Sequence, residues 1–162
     1  MNWTLRPATI TDLEELVELR AVVMRPDLER LGRYDEHRVR QRFRDSFASE
    51  HTQIIQIDDE LAGSITVRPA PPSDPAPSAT PDGRPAAARA WWLEHFYLDP
   101  RHQGRGLGTA VLRTVLATAD ADQATVRLNV LQGSPARKLY ERHGFVTESE
   151  DSVDVFMVRK FL

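Results

Sequence analysis

The sequence predicts a mixed α/β fold: a central twisted sheet of six to seven strands, largely antiparallel, with about four helices packed against it. Three observations carry this prediction. Period-two apolar runs and runs of helical spacing follow one another as strand, two helices, three strands, helix, strand, helix and two strands. One middle strand, Ala90–Leu98 (A-W-W-L-E-H-F-Y-L), is apolar on both faces, as a strand covered from both sides requires. It runs through Asp99-Pro100 into a turn with glycine at three alternate positions, and from there into a helix with no linker between. A length of 162 residues suits one domain, 1–162, built on a single core.

The elements can be justified in order. Trp3–Ala8 alternates as a short first strand, with Pro7 at its end. Thr11-Asp12-Leu13-Glu14 has the spacing of a capping box and opens a first helix that carries Leu13, Leu16, Val17, Val23 and Met24 and is expected to stop before Pro26. Asp27–Arg33 reads as a charged connector. Asp35 is placed to cap a second helix, whose Val39, Phe43 and Phe47 recur every four residues as a narrow stripe. Thr52–Ile57 and Leu61–Val67 are β-rich runs joined by Asp58-Asp59-Glu60, a hairpin signal. From Pro69 to Arg89 lie seven of the eleven prolines, interleaved with alanine and serine. Little there can be buried, so the stretch reads as a loop excursion between two neighbouring strands.

Beyond the glycine turn, Leu107, Val111, Leu112, Val115 and Leu116 make one face of a third helix, fading from Ala117 to Gln123. Thr125–Leu131 alternates, with Val126, Leu128 and Val130 on one side and Arg127 and Asn129 on the other. Ser134 and Pro135 then begin a short helix as N-cap and first-turn proline. Ala136, Leu139 and Tyr140 face inward, and Gly144 ends it. Phe145–Thr147 and Val153–Arg159 are expected to close as a hairpin over Glu148–Asp151.

Composition excludes several function classes. The net charge of −3 argues against a nucleic-acid surface. Between Pro100 and His143, seven Lys/Arg stand against three acids, a local +4 that leaves −7 for the remainder. A basic half suits an anionic cofactor and an acidic half a cationic acceptor. The absence of cysteine removes disulfides, cysteine-ligated metals and a cysteinyl acyl-enzyme. His37, His51, His102 and His143 show no metal-binding spacing, so no metal is implied. No apolar run approaches the roughly 18 residues of a membrane span. The opening Met-Asn-Trp-Thr-Leu-Arg-Pro lacks the apolar centre of a signal peptide, and a cytoplasmic location is expected.

The glycine turn, Gln103-Gly104-Arg105-Gly106-Leu107-Gly108-Thr109, carries the first chemical signal. Glycine lets main-chain N–H groups crowd round a ligand with no Cβ in the way, and the first N–H groups of a helix lack internal partners. With the partial positive charge of a helix start they make a cradle for linked phosphates. A nucleotide-triphosphate P-loop would need G-x-x-x-x-G-K-[ST], and a dinucleotide fold G-x-G-x-x-G; neither frame fits.

Gln103-x-x-Gly106-x-Gly108 instead resembles the Q/R-x-x-G-x-G/A motif of the GNAT superfamily of acyl-CoA-dependent N-acyltransferases. A second block, Asn129 followed by Ala136-Arg137-Lys138-Leu139-Tyr140-Glu141-Arg142-His143-Gly144-Phe145, is similar to the later signature of the same superfamily, N-x(5–6)-A-x-x-x-Y-x-x-x-G-F. The order of elements from Trp3 to Arg159 also matches that fold.

This resemblance implies an N-acetyltransferase that moves an acetyl group from acetyl-CoA to a primary amine by direct attack in a ternary complex. It implies that Gln103, Gly104, Arg105, Gly106, Leu107, Gly108 and Thr109 hold the coenzyme pyrophosphate, and that the main chain of Phe96, Tyr97 and Leu98 pairs with pantetheine. Asn129, Ala136 and Arg137 are further expected coenzyme contacts. Glu94 is similar to the strand-borne glutamate that serves as base, and Tyr140 to the tyrosine that protonates the departing thiolate. By strict alternation His95 faces away from Glu94 and reads as structural unless a bulge resets the phase.

The first two helices then flank the acceptor opening, with Asp27, Glu29, Tyr34, Asp35 and Glu36 as conceivable contacts or a solvated face. The same fold also accommodates a non-catalytic acyl-CoA sensor or a lysine or N-terminal protein acetyltransferase. Homodimers are common in the superfamily, and Trp3, Trp91 or the last strand would be the contact elements.

Overall fold

The structure, a computed structural model, describes residues 2–70 and 90–161. Most of the proline-rich excursion, from residue 71 to 89, lies outside the described residues. Among those described, the elements run β1 (Trp3–Pro7), α1 (Leu13–Arg30), α2 (Glu36–Ser46), β2 (Thr52–Ile57), β3 (Glu60–Pro69), β4 (Ala90–Leu98), α3 (Leu107–Ala121), β5 (Thr125–Leu131), α4 (Ala136–Arg142), β6 (Val146–Glu150) and β7 (Asp154–Arg159). The sheet order is β1-β2-β3-β4-β5-β7-β6. β1 and β2, β2 and β3, β5 and β7, and β6 and β7 pair antiparallel, while β4 and β5 run parallel over Ala90–Trp92. This is the mixed, largely antiparallel sheet with four helices that the sequence predicts.

Internal contacts gather into two compact units, Met1–Thr66 with Glu94–Gly108, and Val67–Leu93 with Thr109–Leu162. In the first, Leu16, Val17 and Leu19 of α1 close over Phe43 of α2, Ile54 of β2 and Tyr97 of β4. Asp58 and Asp59 both take left-handed conformations, φ 51° and 67°, as a two-residue hairpin with the twist of its strands requires.

Three expectations are corrected in this unit. The capping carboxylate is Asp12, whose Oδ2 accepts the Thr9 N–H at 2.9 Å around a 3-10 turn, Ile10–Asp12, that leads into α1, while Glu14 reaches across to Arg44 of α2. Two acids compete for the helix start, and Arg6, bonding both oxygens of Asp12 at 2.8 and 2.9 Å, decides between them. The first helix also continues through Pro26 to Arg30, absorbing half of the expected connector. The carbonyl that Pro26 deprives of a partner belongs to Val22, which is 56% exposed, so water can satisfy it. Arg30 and Asp27, three apart, pair across the last turn. Finally, Phe47 leaves the α2 stripe: it is the C-cap in extended conformation, stacked on Phe43 at 5.8 Å.

In the second unit the inward side of β5 is Val126, Leu128 and Val130, as its alternation predicts. A buried cation, Arg159, is held by Asp120 of α3 at 2.9 and 3.0 Å and donates Nε to the carbonyl of His143 at 2.9 Å. Pro135 occupies the cap position of α4, so the helix begins one residue later than expected, with Ser134 Oγ accepting from Ala136 N at 3.2 Å. The last hairpin turns later than expected. Asp151 Oδ1 captures the N–H groups of Val153 and Asp154 at 2.8 and 2.7 Å, placing the tip there and leaving Glu148–Glu150 within β6.

Candidate functional site

The glycine turn is anchored at both ends. Asp99 begins a 3-10 turn at Pro100–His102, accepting the Arg101 N–H at 2.9 Å and pairing with its guanidinium at 3.2 Å. That Arg101 contact holds the Asp99 carboxyl below the usual carboxylate range. Asp99 N donates to Ala62 O of β3 at 2.8 Å, and Gln103 Nε2 folds back to Leu98 O at 2.9 Å. Gln103, the first residue of the motif, thus acts within the described residues as a strap between turn and strand. On the other side Leu107 is buried at the start of α3.

Between these anchors Gly104 and Gly106 have φ 77° and 82°, and a Cβ added at either would meet nothing within 4 Å. Glycine is therefore called for by conformation, not by crowding from the protein. The main chain is open on the side where a ligand would approach, the exposed Arg105 stands between the two glycines, and the α3 N-terminus follows. The residues present fit a pyrophosphate group.

Strand β4, which enters this turn, is irregular at its centre. His95 has φ 49°, a left-handed conformation in mid-strand for a residue that is not glycine, costing about 1–2 kcal/mol. From Asp99 N→Ala62 O to Ala70 N→Ala90 O, β3 advances eight residues and β4 nine. The additional residue is what a bulge inserts. β3 is adapted to it: Ser64 Oγ donates to His95 O at 2.9 Å, and Gly63 lies where no side chain fits, beneath the carbonyl of Tyr97.

The His95 ring packs on Phe43 with centroids 4.6 Å apart, its Nε2 lies 2.8 Å from Ser46 Oγ and its Nδ1 3.1 Å from the Tyr97 hydroxyl. Tyr97 in turn accepts Nε–H of Arg20 at 3.0 Å, and Arg20 donates Nη1 to the carbonyl of Val39. Burial pushes the Tyr97 phenol up from its ordinary value, against the opposing pull of Arg20. His95, expected to be structural unless a bulge intervened, sits in the bulge itself.

The predicted site residues divide between the units. Glu94, half-buried, together with Phe96–Leu98 and Gln103–Gly108, belongs to the first; Glu94 is close enough to Tyr97 for its charge to act on that phenol. Thr109, Asn129, Ala136, Arg137 and Tyr140 belong to the second. Tyr140 is buried on α4, its ring edge-on to Phe145 at 5.6 Å. Asn129 Nδ2 donates to Asp154 of β7 at 2.8 Å, and Arg137 reaches Thr147 at 3.2 Å and Glu150 at 3.6 Å on β6.

The conceivable acceptor contacts have local occupations. Asp27 pairs with Arg30, Glu29 with Arg25, Tyr34 lies under the Arg25 guanidinium at 4.8 Å, and Asp35 caps α2 by accepting Arg38 N–H at 2.7 Å. Sequence reading missed Arg20. Its signal was there: a cation four residues after Leu16 and three after Val17, on the apolar face of α1.

Comparison with known proteins adds to this geometry. A model of the acetyltransferase (GNAT) family matches residues 13–145. No curated protein matches the chain. The PaiA N-acetyltransferase of Thermoplasma acidophilum, solved in complex with coenzyme A, is similar with a TM-score of 0.73 at 21% identity, over 99% of this chain and 100% of that one. The loading GNATL domain of CurA from Lyngbya majuscula gives 0.68 at 15% identity, over 99% and 98%. The ribosomal-protein-S18-alanine N-acetyltransferase of Escherichia coli gives 0.67 at 16% identity, over 99% and 94%. At such identities these likenesses speak to the fold.

Proposed function

The chain belongs to the GNAT acetyltransferase family, and on that premise we propose that it transfers an acetyl group from acetyl-CoA to a primary amine of a small molecule or peptide by direct attack in a ternary complex. The observation that carries this reading is the glycine turn, whose Gly104 and Gly106 are exposed and left-handed just ahead of α3, with open space where a Cβ would be.

The chemistry follows from what the reaction needs. An alkyl ammonium must lose a proton before its nitrogen lone pair can attack the thioester carbonyl carbon. Glu94, directly or through water, takes that proton. The new C–N bond forms as the carbonyl electrons move to oxygen, where N–H groups of the Phe96–Leu98 main chain stabilise the negative charge. When the C=O re-forms, the C–S bond breaks, the thiolate leaves with a proton from the Tyr140 hydroxyl, and the second proton shed by the acylated nitrogen restores the Tyr140 phenol through solvent. Amine and acetyl-CoA become amide and free CoA. With no cysteine in the chain, an acyl-cysteine intermediate is not on this route.

Calorimetric titration with acetyl-CoA, followed by incubation of labelled acetyl-CoA with separate panels of amines, peptides and aminoglycosides, tests the proposal. Saturable binding and transfer to one panel are expected. Glu94→Gln and Tyr140→Phe should each lower turnover by about 10²–10⁴-fold while leaving acetyl-CoA binding within about twofold. Binding without transfer to any panel would favour a non-catalytic sensor, and no binding would remove the proposal altogether.

A further inference from the structure

We propose that His95 is a positioning residue for acyl transfer: a one-way chain of hydrogen bonds from Arg20 through Tyr97 and His95 to Ser46 holds the left-handed turn in β4, and with it the main chain of Phe96–Leu98 that receives the acyl donor. The inference rests on the function proposed above, which assigns that segment to acetyl-CoA.

The direction of donation follows from what each group can do. Arg20 can only donate, and its Nε–H goes to the Tyr97 oxygen at 3.0 Å. Tyr97, its phenol pushed up by burial, keeps its proton and gives it to His95 Nδ1 at 3.1 Å. At the far end the Ser46 hydroxyl spends its single proton on the carbonyl of Arg42 at 2.8 Å. Its oxygen can therefore only accept from His95 Nε2, also at 2.8 Å. Both ends require the same ring, neutral and protonated on Nε2. A second ring proton would point at the oxygen to which the Arg20 cation already donates, setting two positive groups against one phenol. Glu94, next along the strand, is the carboxylate whose charge acts on this phenol, and Arg20 the cation from α1. Ser46 and Phe43, which reach the ring from α2, are neutral, as is Ser64, which reaches the His95 carbonyl from β3.

The turn is thus gripped from three elements. Arg20 is itself tied to Val39 O of α2, Phe43 covers the ring, and Ser64 takes the carbonyl. A left-handed residue flanked by so many contacts persists because its surroundings over-determine it, and such residues gather where geometry matters to function. Helices α1 and α2, which flank the acceptor side in the proposed reading, are linked through this one ring to the strand that carries the donor. Histidine suits the position because it can bond in two directions from one rigid plane.

Two measurements on the 162-residue chain test the proposal. Long-range ¹H–¹⁵N spectra of the wild type should show His95 as the neutral Nε2–H tautomer, and Tyr97→Phe, with Ser46 still accepting from Nε2, should keep that tautomer while shifting the Nδ1 resonance to that of a ring nitrogen that has lost its donor. Calorimetry should show acetyl-CoA binding weakened about tenfold in His95→Ala and at least severalfold in Tyr97→Phe, with most of the loss recovered in His95→Asn, because asparagine tolerates the left-handed conformation. Tyr97→Phe keeps the ring in the core, so it reports even if His95→Ala fails to fold. An Nδ1–H tautomer in the wild type, or wild-type acetyl-CoA affinity in Tyr97→Phe and any folded His95→Ala, would overturn the role given to His95. Failure of the wild type itself to bind acetyl-CoA would instead overturn the functional reading, and this inference with it.

Discussion

A Cβ built on Gly63 would lie 2.1 Å from the carbonyl oxygen of Tyr97. No rotamer change relieves that contact, because both partners are backbone and the neighbouring Leu98 side chain is itself only 3.1 Å away. The glycine in β3 is what lets the bulged β4 come this close.

Gly63→Ala should accordingly push β3 and β4 apart and destabilise the protein by about 3 kcal/mol, the upper end of what overpacking costs. Urea unfolding followed by circular dichroism would measure it. A loss below about 1 kcal/mol would mean that the strands separate more easily than the geometry allows.

Gly106→Ala is expected to behave in the opposite way. Its Cβ would meet no protein atom within 4 Å, so the stability loss is limited to the positive φ, about 1 kcal/mol. Acetyl-CoA binding should fall by about tenfold or more, since the added methyl would occupy the open side of the cradle. Thermal melting with and without acetyl-CoA separates the two effects: the ligand-induced shift should shrink far more than the intrinsic melting temperature.

Arg159, 6% exposed, depends on Asp120 and on the His143 carbonyl. Asp120→Ala leaves a buried guanidinium short of its counter-ion. Because Asp120 is itself 26% exposed, water recovers part of the loss, and about 2 kcal/mol is expected in place of the 3–5 typical of a fully buried pair. Lysine at 159 should not substitute, having no planar fork for two carboxylate oxygens. Chemical denaturation of Asp120→Ala and Arg159→Lys would check both statements.

The Asp12 carboxyl is held below its ordinary range by its bonds to Arg6, opposed by burial and aided by the Thr9 N–H. The folded protein therefore binds this proton less readily than the unfolded chain, so the stabilisation is full above the ordinary carboxyl value of about 3.9 and disappears as pH falls through it towards the folded value. Asp12→Asn should be markedly less stable than wild type near neutral pH, with the difference narrowing below about pH 4. Urea midpoints of the two proteins across that range would show it, and a constant gap would refute the linkage.

Much of the fold was legible because its causes are local. The ranges of β2, β4 and β5 agree residue for residue with their patterns, since strand periodicity is written in consecutive side chains. Asp35 as a cap and Gly144 as a helix stop, with φ 93°, are likewise short-range chemistry. What went astray were choices between neighbours. Thr9–Asp12 prevailed over Thr11–Glu14 because Arg6 claims Asp12, while Arg44, thirty residues along the chain from Glu14, claims Glu14. Pro26 did not stop α1, and the carbonyl it frees belongs to Val22, a residue on the exposed side of the helix, which no sequence window reveals.

By itself, then, the chain determined the order of its elements, the covered central strand and the glycine turn ahead of a helix, all set by spacing along the backbone. Only the tertiary structure decided that β4 is bulged at His95 and that Arg20, Tyr97 and Ser46 meet around its ring, because Arg20 and Tyr97, bonded at 3.0 Å, are 77 positions apart. A left-handed residue in mid-strand is unfavourable locally and is held by partners from α1, α2 and β3. Local preference argues against such a turn, and long-range hydrogen bonds overrule it.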